Sequence, residues 1–503
     1  MGRKKKLVWN TATSLAHQIA SIVSGFILPR LILGRFGSET NGLVNSITQF
    51  LSLITFLELG VGQVVKSALY KPLSQGDNDK ISAIYSSAEK FFRRIALIFL
   101  CYVVGLTIVY PFIAKTEFDW LFTATLILSI CISSFARYYF GIVDGLLLTA
   151  DQRGYILYSS QTIAIVINTL VASVLIISGA SIHIVKLSTS FIYLTRPFVV
   201  RIYINKKYKI NRRIQYKEEP IAQKWNGVAQ HVAAVVLEGT DNVVLSVFSN
   251  MTNVSIYSVY HLAVNGVKTL FSSTMNGIQS LLGELWAVND ETKLRDFFSL
   301  TEWAIHSATS IVFTCTGLLM LPFVKLYTFG VHDAQYIQPV FSAVIVLANA
   351  CHCLRMPYNM MILAAGHYKQ TQHNYIIAAV MNLGISIVAV WRFGLIGVAI
   401  GTLAAMLYQT IWMAIYTNKF LIRRNFATIV KLFTTDFLIT GISIIIGSAF
   451  MINTESVWDW IINGIVVFSI TVGITCVVDF FAYRTNMGRF VHLISKRAKT
   501  QKN

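Results

Sequence analysis

Charged side chains sit inside long apolar stretches of this sequence, and they are the residues best placed to do chemistry. The cationic set is Arg30, Arg137, Arg196, Lys268 and Arg355; the acidic set is Glu58, Asp144, Glu238, Asp241 and Glu302. An isolated charge in hydrocarbon costs about 2.5 kcal/mol or more, so each of these needs an internal partner, water or a ligand. Lys186 and Lys325 lie near the ends of apolar runs, where a long side chain reaches the interface, and Arg30 shares part of that explanation. Lys268 and Arg355 do not: Lys268 is central in its run, and Arg355 follows Asn349 and His352 on one helical face just before Pro357. That proline frees backbone groups that then need a partner or water. Arginine grips phosphate through a planar fork and lysine acts as a point charge, so a cavity with this inventory suits a phosphate or diphosphate group. The simpler alternative is arginine–carboxylate pairing that only holds helices together.

Uncharged polar residues recur at helical spacing beside these charges. Asn10, Ser14, His17, Ser21 and Ser24 share one face, as do Asn45, Thr48, Gln49, Ser52 and Thr55. A later pair of stripes carries Asn226, Gln230 and Asp241, with Glu238 at the edge, then Asn265, Lys268, Ser272 and Asn276. Polar groups facing lipid are costly, so these faces look onto other helices or water. Hydrogen bonding between helices accounts for any single serine or threonine; four stripes together favour a hydrated cavity. The expected cavity residues are Arg30, Arg137, Arg196, Lys268, Arg355, Asn45, Gln49, Asn265 and Asn276. Glu58, Glu238 or Asp241 could bind a proton or Na+ and couple its gradient to transport.

The elements that must position these residues are membrane helices. The 503-residue chain is 55% hydrophobic and only 13% charged, too few charges to cover a soluble protein of this size. Continuous apolar runs of roughly 18 residues or more recur along its length, enough to cross about 30 Å of hydrocarbon, and they lack the period-two alternation of a β-barrel. We count about 14 spans, near 8–34, 40–68, 84–113, 119–149, 155–179, 182–203, 225–249, 253–285, 298–324, 336–364, 372–391, 394–418, 429–452 and 457–482. The fold class is therefore all-α and polytopic.

Loop charge orients the chain. Lysine and arginine concentrate at Arg3 to Lys6, Lys66 to Lys90, Arg201 to Lys224, Lys293 with Arg295, Lys419 to Arg424, and Arg484 to Lys502. The intervening loops, such as those near Ser178, Ser249 and Ile452, are short and poor in both. This asymmetry predicts cytoplasmic termini at both ends. It also explains the formal net charge of +19 without nucleic acid, which is not an expected partner. The six cysteines all lie in apolar segments and read as packing thiols. Cys351-His352-Cys353 does not read as a metal site, because adjacent helical residues diverge. GDNDK around Asp77 reads as a turn.

The basic run from Arg201 to Lys224 connects two similar halves. The domain expectation is an N-terminal lobe at 1–205, a connector at 206–224, a C-terminal lobe at 225–420, and two extra spans with a basic tail at 421–503. Each half opens with a helix, a small turn (FGSETNG after Arg35, SNMTNVSIY after Phe248) and a long polar-striped helix. Six spans per half give parallel repeats, which place a substrate site at their interface.

Three stretches carry a family resemblance: LPRLILGRFGSETNGLVNSITQFLSLITFLELGVGQVV (Leu28 to Val65), GTDNVVLSVFSNMTNVSIYSVY (Gly239 to Tyr260) and MNLGISIVAVWRFGLIGVAIGTLAA (Met381 to Ala405). With them the chain resembles the polysaccharide transporter (Wzx-type oligosaccharide flippase) branch of the superfamily that also holds lipid II flippases and multidrug/toxin extrusion transporters. The resemblance implies two pseudo-symmetric six-helix lobes plus two C-terminal helices, and alternating access in a bacterial cytoplasmic membrane. It implies that undecaprenyl-diphosphate-linked oligosaccharide is flipped to the outer leaflet for cell-surface polysaccharide assembly, beside polymerase and glycosyltransferase machinery. No bond is made or broken, so neither catalytic residue nor cofactor is expected. The alternative is an ion-coupled drug or cation exporter of the same fold, whose site should be rich in acidic and aromatic residues.

Overall fold

Gly37 is where the first long helical run breaks. Its φ of 81° and ψ of 176° suit glycine, and they split the α1 run (Arg3–Ser52) into two spans inside FGSETNG, as expected. A Cβ here would come within 2.8 Å of the Asp333 carboxylate. That carboxylate accepts from the Ser38 amide and hydroxyl, both at 2.6 Å, and so caps the restarted helix.

The computed structural model describes residues 3–58, 61–114, 116–212, 214 and 228–489. The expected connector is described only to residue 212 and at residue 214; its remainder, with Lys217 and Lys224, lies outside the described residues, as do Asn226 and the side chains of Gln230, Glu238 and Asn276. The chain is all-helical and polytopic, with ten segments among the described residues long and apolar enough to cross a membrane. Each expected span has a helical counterpart. The second is interrupted: the α1 run ends at Ser52, a 3-10 stretch follows at Leu53–Glu58, and α2 is Val61–Gln75. Next come α3 (Asn78–Ile113), α4 (Trp120–Ala136), a π-turn (Arg137–Gly141), α5 (Ile142–Ala150), α6 (Gly154–Ile177) and α7 (Ile182–Lys207). The seventh expected span is split into α8 (Val228–Gly239) and α9 (Asp241–Phe248). Then follow α10 (Met251–Ala287), α11 (Glu291–Tyr327), α12 (Pro339–Ala364), α13 (Tyr368–Phe393), α14 (Leu395–Tyr416) with a π-turn at Thr417–Ile422, α15 (Ala427–Phe450) and α16 (Val457–Ala482).

These helices form two compact units, one of residues 1–256 with 330–334, the other of 257–329 with 335–503. In the first, α1 lies along α6, α6 along α7, and α7 along α4. Its interior holds Leu33, Leu43, Ile47, Tyr85, Phe92, Phe99 and Tyr110, all buried. Buried polar residues pair between helices: Tyr110 and Ser246 both donate to Ser46, at 2.6 and 2.5 Å, and Asn41 donates to Ser255 at 2.7 Å. In the second unit, α14 packs on both α12 and α13, and α15 and α16 pack on α11. The α13–α14 approach is close: a Cβ on Gly401 would lie 2.1 Å from Ser386 Oγ and 2.8 Å from backbone. That is the small-residue packing expected for GLIGVAIG.

Candidate functional site

A cavity of about 590 Å³ lies within the first unit, walled by α1 to α7 with the 3-10 stretch and the π-turn. Three cations line it, Lys66, Arg137 and Arg196, against one carboxylate, Glu58; two positive charges are left uncompensated. His17 and Gln161 add polar groups to the wall.

Local backbone irregularities set up this wall. Arg137 opens the π-turn, a five-residue widening of the α4–α5 run and a feature frequent at functional sites. At its end, Gly141 faces Pro197 of α7, where a Cβ would lie 3.2 Å from the proline Cβ. Pro197 has no N–H to give to the carbonyl of Tyr193 one turn earlier, so α7 is weakened in the turn that carries Arg196. Arg196 stands over the Tyr193 ring at 5.4 Å and Arg137 over the Tyr138 ring at 5.9 Å. Tyr138 donates to Glu58 Oε1 at 2.7 Å, and so holds the carboxylate. Among the described residues, no carboxylate lies within ion-pair distance of Lys66, Arg137 or Arg196. Arg137 is exposed and the others half-buried, as in an open cavity.

A polar latch adjoins the cavity at the turn between α5 and α6, residues 151–153, next to the lining residues Thr149 and Leu157. Asp151 accepts from Tyr208 and Arg153, both at 2.5 Å, and Lys6 donates to its backbone carbonyl at 2.9 Å. Asn10 of the first stripe accepts from the Tyr155 amide at 2.6 Å and donates to the Gln152 carbonyl at 3.0 Å. Burial by itself would raise the Asp151 carboxyl, but the Tyr208 and Arg153 hydrogen bonds and the Lys6 charge hold it below the usual carboxylate range.

The structure thus brings Arg137, Arg196 and Glu58 together in one wall. Arg30 lies elsewhere on α1, its guanidinium turned back toward Gly34. Asn45 donates to the Asn41 carbonyl of its own helix at 2.8 Å, and Gln49 donates to Ser52 at 3.1 Å. Asp241 is buried at the start of α9. Asp144 is fully buried, accepts from Tyr85, and sits near Arg201, which pairs with Glu89 at 2.6 Å. The second unit holds a separate cationic group. Arg355 is 6% exposed, donates to Gln409, and meets His352 Nδ1 at 3.3 Å. Lys268 stands near enough to His261, His352 and Cys353 to act on them electrostatically, and Asn265 on the same helix is exposed.

Lys66, Gln161 and Ser133 line the cavity although the sequence did not single them out for it. Lys66 belongs to a basic run that reads as a loop. The signal that separates it is the apolar turn from Ala68 to Tyr70 between it and Lys71.

No protein-family model matches the chain, and no curated protein matches it. Solved structures do. A lipid II flippase, MurJ, in an inward closed conformation is 15% identical over 92% of this chain and 98% of that one, with a TM-score of 0.67. The Vibrio cholerae MATE transporter VcmN in its bent form is 11% identical over 82% of this chain and 96% of that one, at 0.53. An inward-facing multidrug resistance MATE family transporter of the MOP superfamily is 14% identical over 80% and 95%, at 0.50. At such identities the likeness concerns the fold, and the chain has the multi-pass fold that these flippase and transporter structures share.

Proposed function

We propose that this chain flips an undecaprenyl-diphosphate-linked oligosaccharide from the inner to the outer leaflet of a bacterial cytoplasmic membrane by alternating access, with both termini cytoplasmic. The observation that carries this reading is the charge balance of the cavity wall: Lys66, Arg137 and Arg196 against Glu58 alone. A diphosphate brings negative charge that such a wall lacks. Two planar guanidinium forks and one ammonium are donors that phosphate oxygens accept from. The volume of about 590 Å³ suits a diphosphate with its first sugars, while a polyprenyl tail would stay in lipid. Movement of this kind needs no catalytic residue.

A second reading, ion-coupled export of organic cations, draws support from Glu58 and the aromatic residues Phe92 and Tyr193 in the same wall. Its weakness is the excess of positive charge, which repels a cationic drug.

Native mass spectrometry of the protein extracted from its own membrane separates the two. A bound polyprenyl-diphosphate glycan, lost in the Arg137→Ala/Arg196→Ala double variant, is the expected result. A clean spectrum together with tight binding of organic cations would move the assignment to the exporter.

A further inference from the structure

The second unit contains a buried acid–base cluster with one carboxylate more than its cations can neutralise. Glu302 of α11 is 1% exposed and pairs with Arg424 at 2.7 Å. His306, one turn on, meets Asp436 of α15 at 2.6 Å through Nδ1 and the Tyr358 hydroxyl of α12 at 3.1 Å through Nε2. Asp479 of α16 is 3% exposed and accepts from Ser307 at 2.7 Å. Three carboxylates therefore face two groups able to carry positive charge, Arg424 and His306.

Asp479 has no cation within ion-pair distance among the described residues, and the Asp436 carboxylate lies close enough to act on it electrostatically. Its Oδ1 is buried without a hydrogen bond of ordinary geometry and has the Trp303 indole beside it. The groups facing the cluster from each packed element are Glu302 and His306 on α11, Tyr358 on α12, Asp436 and Lys431 on α15, and Tyr483 at the end of α16, with Arg424 before α15. Lys431 keeps its charge but is exposed, donates to the Ala482 carbonyl, lies 4.7 Å over the Tyr483 ring, and is not within ion-pair distance of Asp436 or Asp479. An open surface pocket of about 640 Å³ is lined by Asn425, Lys431 and Thr435, and Thr435 Oγ1 stands 3.4 Å from the Tyr483 hydroxyl.

We propose that Asp479, held between α11 and α16 and backed by the His306–Asp436 pair, is a proton-binding site of this protein. A proton from bulk water forms an O–H bond at Oδ1, neutralises the surplus charge, and leaves the Ser307 hydrogen bond in place. Deprotonation returns an uncompensated anion to a dry interhelical seam, which works against close packing of α16 on α11. The site would let a pH gradient bias the helix packing of this unit; as a coupling device it rests on the transporter reading, but as a proton site it does not.

The test is infrared difference spectroscopy of the full-length, substrate-free protein in lipid, titrated from alkaline to acidic buffer. Wild type should gain protonated-carboxyl absorption, and subtracting the same titration of Asp479→Asn, which keeps the shape and can still accept from Ser307, should cancel the chain's other carboxyls and leave one band. His306→Gln should keep the band. No band in the wild-type-minus-Asp479→Asn difference, or its loss in His306→Gln, would each overturn the assignment. No substrate is present, so failure of the lipid-linked glycan reading leaves this result standing.

Discussion

The cavity of the first unit and the buried cluster of the second hold similar numbers of charges in opposite circumstances. Lys66, Arg137 and Arg196 line an open cavity without carboxylate partners. Glu302, Arg424, His306 and Asp436 are interlocked at 2.6 to 2.7 Å. A cation in a hydrated cavity keeps its water and is available to a ligand, so its removal costs binding rather than folding. A charge in a dry interior is tolerable only with its partner, so its removal costs the fold. Unpaired and wet means ligand; paired and dry means architecture, save for a surplus member such as Asp479.

That contrast can be broken at four points. Glu302→Ala strands Arg424 in the interior and should cost about 3–5 kcal/mol, read as loss of folded protein in detergent and a lower melting temperature. If the variant is as stable as wild type, the paired-and-dry rule fails here. The Arg137→Ala/Arg196→Ala double variant should melt like wild type yet lose roughly 100-fold in affinity for a polyprenyl-diphosphate probe, about 2–3 kcal/mol. A large drop in melting temperature would instead make these arginines structural. Arg196→Lys sharpens the same point: it keeps the charge but loses the fork, and should weaken binding by about tenfold. An unchanged affinity would reduce Arg196 to a point charge. The smallest effect belongs to the Asp151 latch. Its carboxyl lies below the usual range in the folded chain, so its contribution is complete above the ordinary carboxylate value of about 3.9 and is lost as pH falls through the folded value. At about 1 kcal/mol or less, this appears as a melting temperature that declines in acid for wild type and declines less for Asp151→Asn.

The helical spans were legible because apolar run length reports directly on membrane crossing, and the charge pattern of the loops required no tertiary knowledge. Breaks inside spans were less so: the 3-10 stretch before α2 and the α8–α9 break at Thr240 interrupt continuous apolar sequence without a proline. For the site, Arg137, Arg196 and Glu58 stood out because intramembrane charge is rare. Their common wall did not, since it depends on how the π-turn, α7 and the 3-10 stretch come together. Glu58 drew attention as an ion-coupling residue, whereas its neighbours in the structure are Tyr138 and the cationic wall. Asp436 and Asp479 each look like a single acid in an apolar run. Their partners His306 and Ser307 are 130 and 172 residues away, beyond anything periodicity can connect.

The π-turn at Arg137–Gly141 has a genealogical consequence. Such a turn is an α-helix with one residue too many, and each residue advances a helix by about 100°. Deleting a single residue between Tyr138 and Phe140 would restore a regular helix and swing Gly141, Ile142 and Gly145 away from the side that Arg137 occupies. A descendant with that one-residue gap would still insert and fold, but with a rearranged cavity. The length of this short stretch is therefore a character that could sort kin sharing the cargo from kin sharing only the scaffold.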